Sequence, residues 1–445
     1  MTMASETTAP DAANASGVAT WRAPSARGPL KATVSLPGSK SLTNRALILA
    51  ALSDGPTRIG SPLRARDTAL MVAALRSLGV EVAEDQGDWL ITPGRLRPGN
   101  VYCGLAGTVM RFVPPVAALA SGDTHFDGDR HARTRPMATL IEGLRRAGVV
   151  IDDNRAGVLP FTVRGRGSVT GGMVELDASA SSQFVSALLL AGARFDKGIE
   201  IHHVGAPLPS LPHIEMTVAA LRSADVDVDD SAPNRWRVPR SAIAMPDLHI
   251  EPDLSNAAPF LGAALAAGGS VTVPHWPRAT TQAGDAIRGL LTEMGAHVEL
   301  GTAGLTVTGG ARISPLVADL HDVSELTPVI AALCALADGQ SRLSGVAHIR
   351  GHETNRLAAL RAELTSLGGD VDETEDGLLI RPAALRPGLW HAYADHRMAH
   401  AGALLGLAVA GLAVDDIGST SKTMADFPGL WAALVAQCAG TADGR

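Results

Sequence analysis

The chain has 445 residues, 46% hydrophobic and 19% charged, with a formal net charge of -7. That length calls for more than one core and that composition excludes a disordered chain. The acidic balance and 3% aromatic content argue against a nucleic-acid-binding surface.

No apolar run reaches the ~20 residues that a membrane helix needs. Three cysteines (Cys103, Cys334, Cys438) without metal-type spacing suit a reduced, cytoplasmic setting.

From Met1 to about Ala26 the chain is Ala, Thr, Ser and Pro with scattered charge. It lacks the apolar core of a secretory signal, and Glu6 and Asp11 argue against an organellar transit peptide. Residues 1–27 therefore read as a flexible extension. Order is expected to begin near Leu30, where residues 32–36 alternate as a strand does and Pro37-Gly38 ends it.

A small-residue helix followed by a turn and a β-like stretch then recurs six times, starting near Ser41, Thr108, Ser181, Leu254, Val323 and Asp395. Each helix breaks at a glycine (Gly55, Gly122, Gly198, Gly269, Gly339, Gly411), spaced 67 to 76 residues apart. A more amphipathic helix lies between most of these breaks and ends in a leucine-rich turn before alternating residues. Examples are ALRSLGVEV (74–82), GLRRAGVVI (143–151) and ALRSADVDV (220–228); LLTEMGAHV (290–298) and ELTSLGGDV (363–371) are weaker copies. The pattern is helix, C-cap, strand. The Ala/Gly-rich helices should be buried and the Arg/Glu-bearing ones outside.

What precedes each small-residue helix is informative: Lys40-Ser41 with Arg45 a turn on, Gly107-Thr108 with Arg111, Ser181-Ser182-Gln183, Asp253 to Asn256, Asp322 to Glu325, and Asp395-His396-Arg397. Ser and Asp are ordinary N-caps. A cation at the positive end of a helix dipole is unfavourable unless an anion sits opposite, so several such cations imply a ligand with several negative groups. Arg135 before Pro136, Arg356 after His352-Glu353, and Lys422 in a Ser/Thr-rich loop extend the set. Each close ion pair is worth roughly 4 kcal/mol at an effective dielectric of 20, before desolvation. Self-repulsion among these cations is expected to keep the two lobes apart until a polyanionic substrate draws them together.

LPGSKSLTNRAL (36–47), GLAGTVMRF (104–112), SSQF (181–184), HETNRL (352–357) and YADHRMAHA (393–401) resemble, in order and separation, the 5-enolpyruvylshikimate-3-phosphate synthase family of enolpyruvyl transferases. The resemblance covers the chain from about Leu30 to the last helix. It implies an α/β fold, a two-lobed inside-out α/β barrel of six βαβαββ repeats, with residues 28–38 plus 252–445 as the first lobe and 39–251 as the second. It also implies a glyphosate-targeted monomer without metal or cofactor. The implied reaction adds the 5-hydroxyl of shikimate-3-phosphate to phosphoenolpyruvate, then eliminates inorganic phosphate.

Matched by position, Lys40, Gly107, Arg135, Gln183, Arg356, Arg397 and Lys422 would hold phosphoenolpyruvate. Lys40, Ser41, Arg45, Ser181, Ser182, Gln183, Ser210, Glu325 and His352 would hold shikimate-3-phosphate. Glu325 is the candidate base on the attacking hydroxyl, and Glu353 and Lys40 are candidates for proton transfer at the methylene carbon. The chain departs from the family pattern at His213, His348 and His352, and at Leu105 and Phe112.

Other signals lead elsewhere. Gly38 to Ser41 lacks both glycines of a nucleotide-binding loop. His396 and His400 sit four apart on a helix without a third ligand and read as structural or substrate residues. Cys103 reads as a buried, inert thiol. The rival transferase that acts on UDP-N-acetylglucosamine usually carries Lys-Asn where Lys40-Ser41 stands, and a loop cysteine absent from residues 127–135. A non-catalytic phosphoanion-binding relative would be expected to have lost Lys40, Arg135, Glu353 or Lys422, and all four are present.

Overall fold

The computed structural model describes residues 20–438. Among them are twelve α-helices: α1 (Lys40–Ala51), α2 (Arg66–Ser77), α3 (Gly107–Ala117), α4 (Ala138–Arg146), α5 (Gln183–Gly192), α6 (Pro212–Ser223), α7 (Leu254–Ala266), α8 (Ile287–Glu293), α9 (Thr327–Ala335), α10 (Arg356–Ser366), α11 (His396–Ala408) and α12 (Phe427–Ala436). The odd-numbered helices are the Ala/Gly-rich set, and they are interior: every residue of α3 and α9 is buried, and all of α11 except Ala408. The even-numbered helices bury a single stripe, as α12 does with Phe427, Trp431 and Leu434.

The described strands form four four-stranded and two three-stranded sheets. In the sheet of the second repeat, Asn100–Tyr102 runs parallel to Ser121–Asp127, with α3 as the crossover, and the hairpin of Val150–Asp152 and Phe161–Arg166 adds antiparallel. Two other sheets take their first strand from far along the chain. Leu30–Thr33 pairs parallel with Gly269–Val273, and Leu248–His249 pairs parallel with Thr57–Gly60. The chain thus crosses between halves twice, and an antiparallel bridge between Gly38 and Pro252 sets the two crossings side by side. A Cβ on Gly38 would lie 2.4 Å from the Ser61 carbonyl oxygen, so only glycine fits there.

Three expectations are corrected. The extension expected over residues 1–27 is ordered from residue 20: Trp21–Arg22 pairs antiparallel with Ala413–Val414, and Ala23 is buried against Gly406. Those apolar side chains complete the sixth sheet, whose own repeat supplies only two strands. Residues 1–19 lie outside the described part. The strand expected at 32–36 instead spans Leu30–Thr33. The strand expected at 226–228 is replaced by one bridge, Asp229 to Arg237; the flanking aspartates are poor strand formers, although Val226 and Val228 remain buried.

Buried apolar residues fall into two clusters, one running from Ala46 to Ile250 and the other combining Ala23–Val34 with Leu254–Leu434. The second of these is called the first lobe below, because the described chain starts there.

Candidate active site

Four of the six inner helices, α1, α3, α5 and α11, direct their first turns at one pocket between the lobes. Its lining includes Lys40 of α1, Gly107, Thr108 and Arg111 of α3, Gln183 and Phe184 of α5, Glu325 ahead of α9, and His396 and Arg397 of α11. Arg135, Ser181, His352, Glu353, Arg356 and Lys422 complete the polar wall. Local capping explains the convergence. Ser39 caps α1, and Asp253 caps α7 while also accepting from the Lys40 amide at 3.1 Å, which ties two helix starts together across the lobes.

On the second-lobe side the wall is cationic and under-partnered. Lys40 Nζ lies 3.7 Å from the buried carboxylate of Asp67. Arg111 lies with its guanidinium 5.5 Å from the Phe184 ring centroid and donates to the Gly107 carbonyl at 3.3 Å. Burial, and then the neighbouring Arg135, press its pKa well below the ordinary arginine value. A Cβ at Gly107 would meet Arg111 Nη1 at 2.7 Å and Arg135 Nη1 at 3.1 Å, so glycine lets both guanidiniums close over the helix start. Three buried polar atoms of this wall have no hydrogen-bond partner: Arg111 Nε, Arg135 Nε and Gln183 Oε1. Buried polar groups are rarely left so, and these three, together with both ring nitrogens of His396 in the same pocket lining, mark a place for a polar ligand.

The first-lobe side is a charge network. Arg356, 2% exposed, makes a bidentate pair with Asp395 (Nε to Oδ2 2.8 Å, Nη2 to Oδ1 3.1 Å) and donates to Glu353 at 3.2 Å and to His352 Nδ1 at 3.1 Å. Asp395 also caps α11 by accepting from the Arg397 amide. Lys422 donates to the other oxygen of Glu353. Arg397 donates to Glu325 at 3.1 Å and to the Ser255 carbonyl at 2.8 Å.

Burial alone would raise the Glu353 carboxyl, but Lys422, Arg356 and Arg135 outweigh it and hold it well below the usual carboxylate range. Glu325 is lowered in the same way, burial opposing and Arg397 leading the cations that prevail. Burial and Arg356 keep His352 neutral.

The expectation of lobes held apart is corrected by these carboxylates. Asp67, Asp395, Glu325 and Glu353 pair with Lys40, Arg356, Arg397 and Lys422, which lowers the self-repulsion although Arg45, Arg111 and Arg135 form no ion pair among the described residues, and the lobes meet. The pocket between the lobes has a volume of about 70 Å³.

Of the residues singled out in the sequence, Lys40, Gly107, Arg135, Ser181, Gln183, Glu325, His352, Glu353, Arg356, Arg397 and Lys422 line this pocket; Ser41, Arg45, Ser182 and Ser210 do not. Arg45 spends its donors on Thr217 Oγ1 (2.8 Å) and on the carbonyls of Ser41 and His213, with its guanidinium 5.3 Å from the Phe112 ring centroid. Burial lowers its pKa to about 9 while Glu325 opposes.

Glu325, expected at the start of a continuous helix, sits in a separate 3-10 turn (His321–Leu326) broken at Val323. The site assignments omitted Arg111 and His396, which line the pocket, and the buried counter-ions Asp67 and Asp395. Arg111 carried the same signal as Arg397, a cation in the first turns of an inner helix. Asp67 carried none. Among the described residues no cluster of histidines, cysteines and carboxylates suits a metal.

A model of the EPSP synthase family (3-phosphoshikimate 1-carboxyvinyltransferase) matches residues 24–431. Two solved structures of EPSP synthase from Acinetobacter baumannii are similar at 22% identity, with TM-scores of 0.75 and 0.74. The match covers 92% of this chain and 96% and 97% of theirs. The enolpyruvyl transferase NikO from Streptomyces tendae is similar at 17% identity and a TM-score of 0.72, over 92% of this chain and 96% of that one. At such identities the structures speak for the fold, an inside-out α/β barrel of two lobes.

Proposed function

The chain belongs to the EPSP synthase family, and from that premise we infer how its pocket divides the work of the reaction. The protein is a transferase of the shikimate pathway that moves the enolpyruvyl group of phosphoenolpyruvate to shikimate-3-phosphate and releases inorganic phosphate. In the proposed site, phosphoenolpyruvate lies against Lys40, Gly107, Arg135, Gln183, Arg356, Arg397 and Lys422. Its carboxylate and phosphate answer the unpartnered Arg135 Nε and the paired cations. Shikimate-3-phosphate lies toward Lys40, Ser181, Gln183, Glu325 and His352, with Ser41, Arg45, Ser182 and Ser210 reached when the lobes reseat around it.

Glu325, held ionised by Arg397, takes the proton of the attacking 5-hydroxyl. Lys40 protonates the methylene carbon in the addition. Glu353, ionised between Lys422 and Arg356, takes a proton back from the resulting methyl group as phosphate leaves. Lys40 gives one proton to carbon and Glu353 gains one from it, so a transfer from Glu353 back to Lys40, both in the pocket lining, resets the pair, while the hydroxyl proton held by Glu325 departs with the released phosphate.

The observation that carries this reading is that the unpartnered Arg111 Nε, Arg135 Nε and Gln183 Oε1 share one pocket with the ion-paired carboxylates of Glu325 and Glu353. The division of the chain into a lobe of residues 28–38 plus 252–445 and one of 39–251 is supported by the two hydrophobic clusters. A monomer, a cytoplasmic location and competition by the phosphonate glyphosate complete the proposal. The three free cysteines support a reducing compartment.

The test is phosphate release by the purified protein. It should appear only when phosphoenolpyruvate and shikimate-3-phosphate are both supplied. Release with UDP-N-acetylglucosamine as acceptor instead would overturn the assignment.

A further inference from the structure

The seam between the lobes holds a histidine that the proposed chemistry does not use. His321 opens the 3-10 turn that also carries Glu325. It is anchored in the first lobe by its amide, which donates to Asp319 Oδ1 at 2.8 Å; the ring Nδ1 lies 3.2 Å from the Gly345 carbonyl oxygen, but a neutral imidazole carries one N–H, and the shorter contact of Nε2 takes it. Gly345 is shaped around it. The backbone there has φ +77°, and a Cβ would lie 2.1 Å from Asp319 Oδ1 and 3.1 Å from His321 Cβ.

From that anchorage the ring reaches the other lobe, where Nε2 lies 2.8 Å from the carbonyl oxygen of Leu208. Pro207 and Pro209 bracket Leu208 and restrict its backbone, so the acceptor is presented rigidly. Two lesser contacts flank the bond. The Ser210 amide donates to the His321 carbonyl at 3.3 Å, and the Ser210 and Ser324 hydroxyls are 3.4 Å apart. Ser210 holds φ +53°, an unusual conformation for a residue with a side chain.

We infer that His321 is a positioning residue: it docks the Glu325 turn onto the Leu208 carbonyl when the lobes meet and so brings the candidate base to the second-lobe wall. Docking leaves the Glu325 carboxylate with Arg397 of its own lobe at 3.1 Å and His213 of the opposite lobe at 3.8 Å. The inference rests on the activity assigned above for its kinetic readout and stands on the seam geometry for its structural one.

The experiment compares His321→Ala with His321→Gln. Glutamine can place an amide donor where Nε2 lies, while alanine cannot. Losing one hydrogen bond of ordinary strength from the closed state alone should lower kcat/KM for both substrates about two- to tenfold in the alanine variant. The radius of gyration from small-angle scattering should rise in the same variant, and glutamine should restore both quantities.

Wild-type kinetics with unchanged scattering in His321→Ala would overturn the inference. So would a glutamine variant as impaired as alanine, since ring packing and not donation would then matter. Should alanine prove too unstable to assay, His321→Leu, which keeps bulk but cannot donate, takes its place against the glutamine variant, with the same two readouts and the same refuting outcomes. Wild-type protein in parallel separates the two ideas: a wild type without turnover refutes the assigned reaction, while the scattering difference still tests the strut.

Discussion

Glu353→Gln is the sharpest perturbation of the proposed chemistry, because it removes a charge and almost no volume. In the structure this carboxylate is 9% exposed and lies between Lys422, 6% exposed, and Arg356, 2% exposed. At an effective dielectric of 20 each of those pairs is worth roughly 4 kcal/mol before desolvation. Removing one partner from a buried pair costs about 3–5 kcal/mol, because its counter-ion stays buried. That is within the 5–15 kcal/mol of an ordinary fold, so the variant should fold with a lower melting temperature.

Turnover should fall by roughly 10² to 10⁴, the usual worth of a positioned proton-transfer group. The KM for phosphoenolpyruvate should stay level or drop, since two cations are freed to meet it. Coupled phosphate release with each substrate varied separately reads both quantities. A kcat within tenfold of wild type, or a raised KM with kcat intact, refutes the role assigned to Glu353.

The same variant tests the charge state. Because the folded pKa of Glu353 lies below its ordinary value of 4.5, its contribution to stability is present above that value and lost as pH falls toward the folded one. The melting temperature of the wild type should therefore drop steeply below about pH 4.5, and that of Glu353→Gln less so.

Three further substitutions separate binding from chemistry. Lys40→Ala should abolish measurable turnover, by a factor of at least about 10²–10³, in a protein that still folds but melts at a lower temperature, because the buried Asp67 carboxylate loses its partner; near-normal kinetics would remove Lys40 from the site. Lys422→Ala should raise the KM for phosphoenolpyruvate about ten- to hundredfold, the worth of a charge-assisted hydrogen bond, with a smaller effect on kcat; an unchanged KM would place phosphoenolpyruvate elsewhere. Gly107→Ala pushes a methyl group toward two guanidiniums and should raise the same KM about tenfold while the shikimate-3-phosphate KM changes less, and equal changes in both would contradict the proposed division of the pocket.

Local chemistry explains why so much was legible in the chain. Each inner helix is marked by small side chains and each start by a cap or a misplaced cation, features that need only neighbouring residues to form. Lys40 and Arg397 could be singled out on that ground and both reach the pocket. Arg45 illustrates the limit. A turn beyond Lys40 on the same helix, it satisfies its donors with Thr217 and His213, residues about 170 positions away whose arrival no local pattern announces.

Periodicity, capping and the placement of cations along the chain thus determined six similar units and the residues most of the pocket is built from. Tertiary structure alone decided which strands complete which sheet: Trp21–Arg22 and Leu248–His249 each join partners remote in sequence. It also decided that Asp67, Asp395, Glu325 and Glu353 would pair with Lys40, Arg356, Arg397 and Lys422 and let the lobes meet. The reason is physical. A helix and its cap are set by interactions within a few residues, whereas a counter-ion or a borrowed strand acts through distances that exist only once the whole chain has folded.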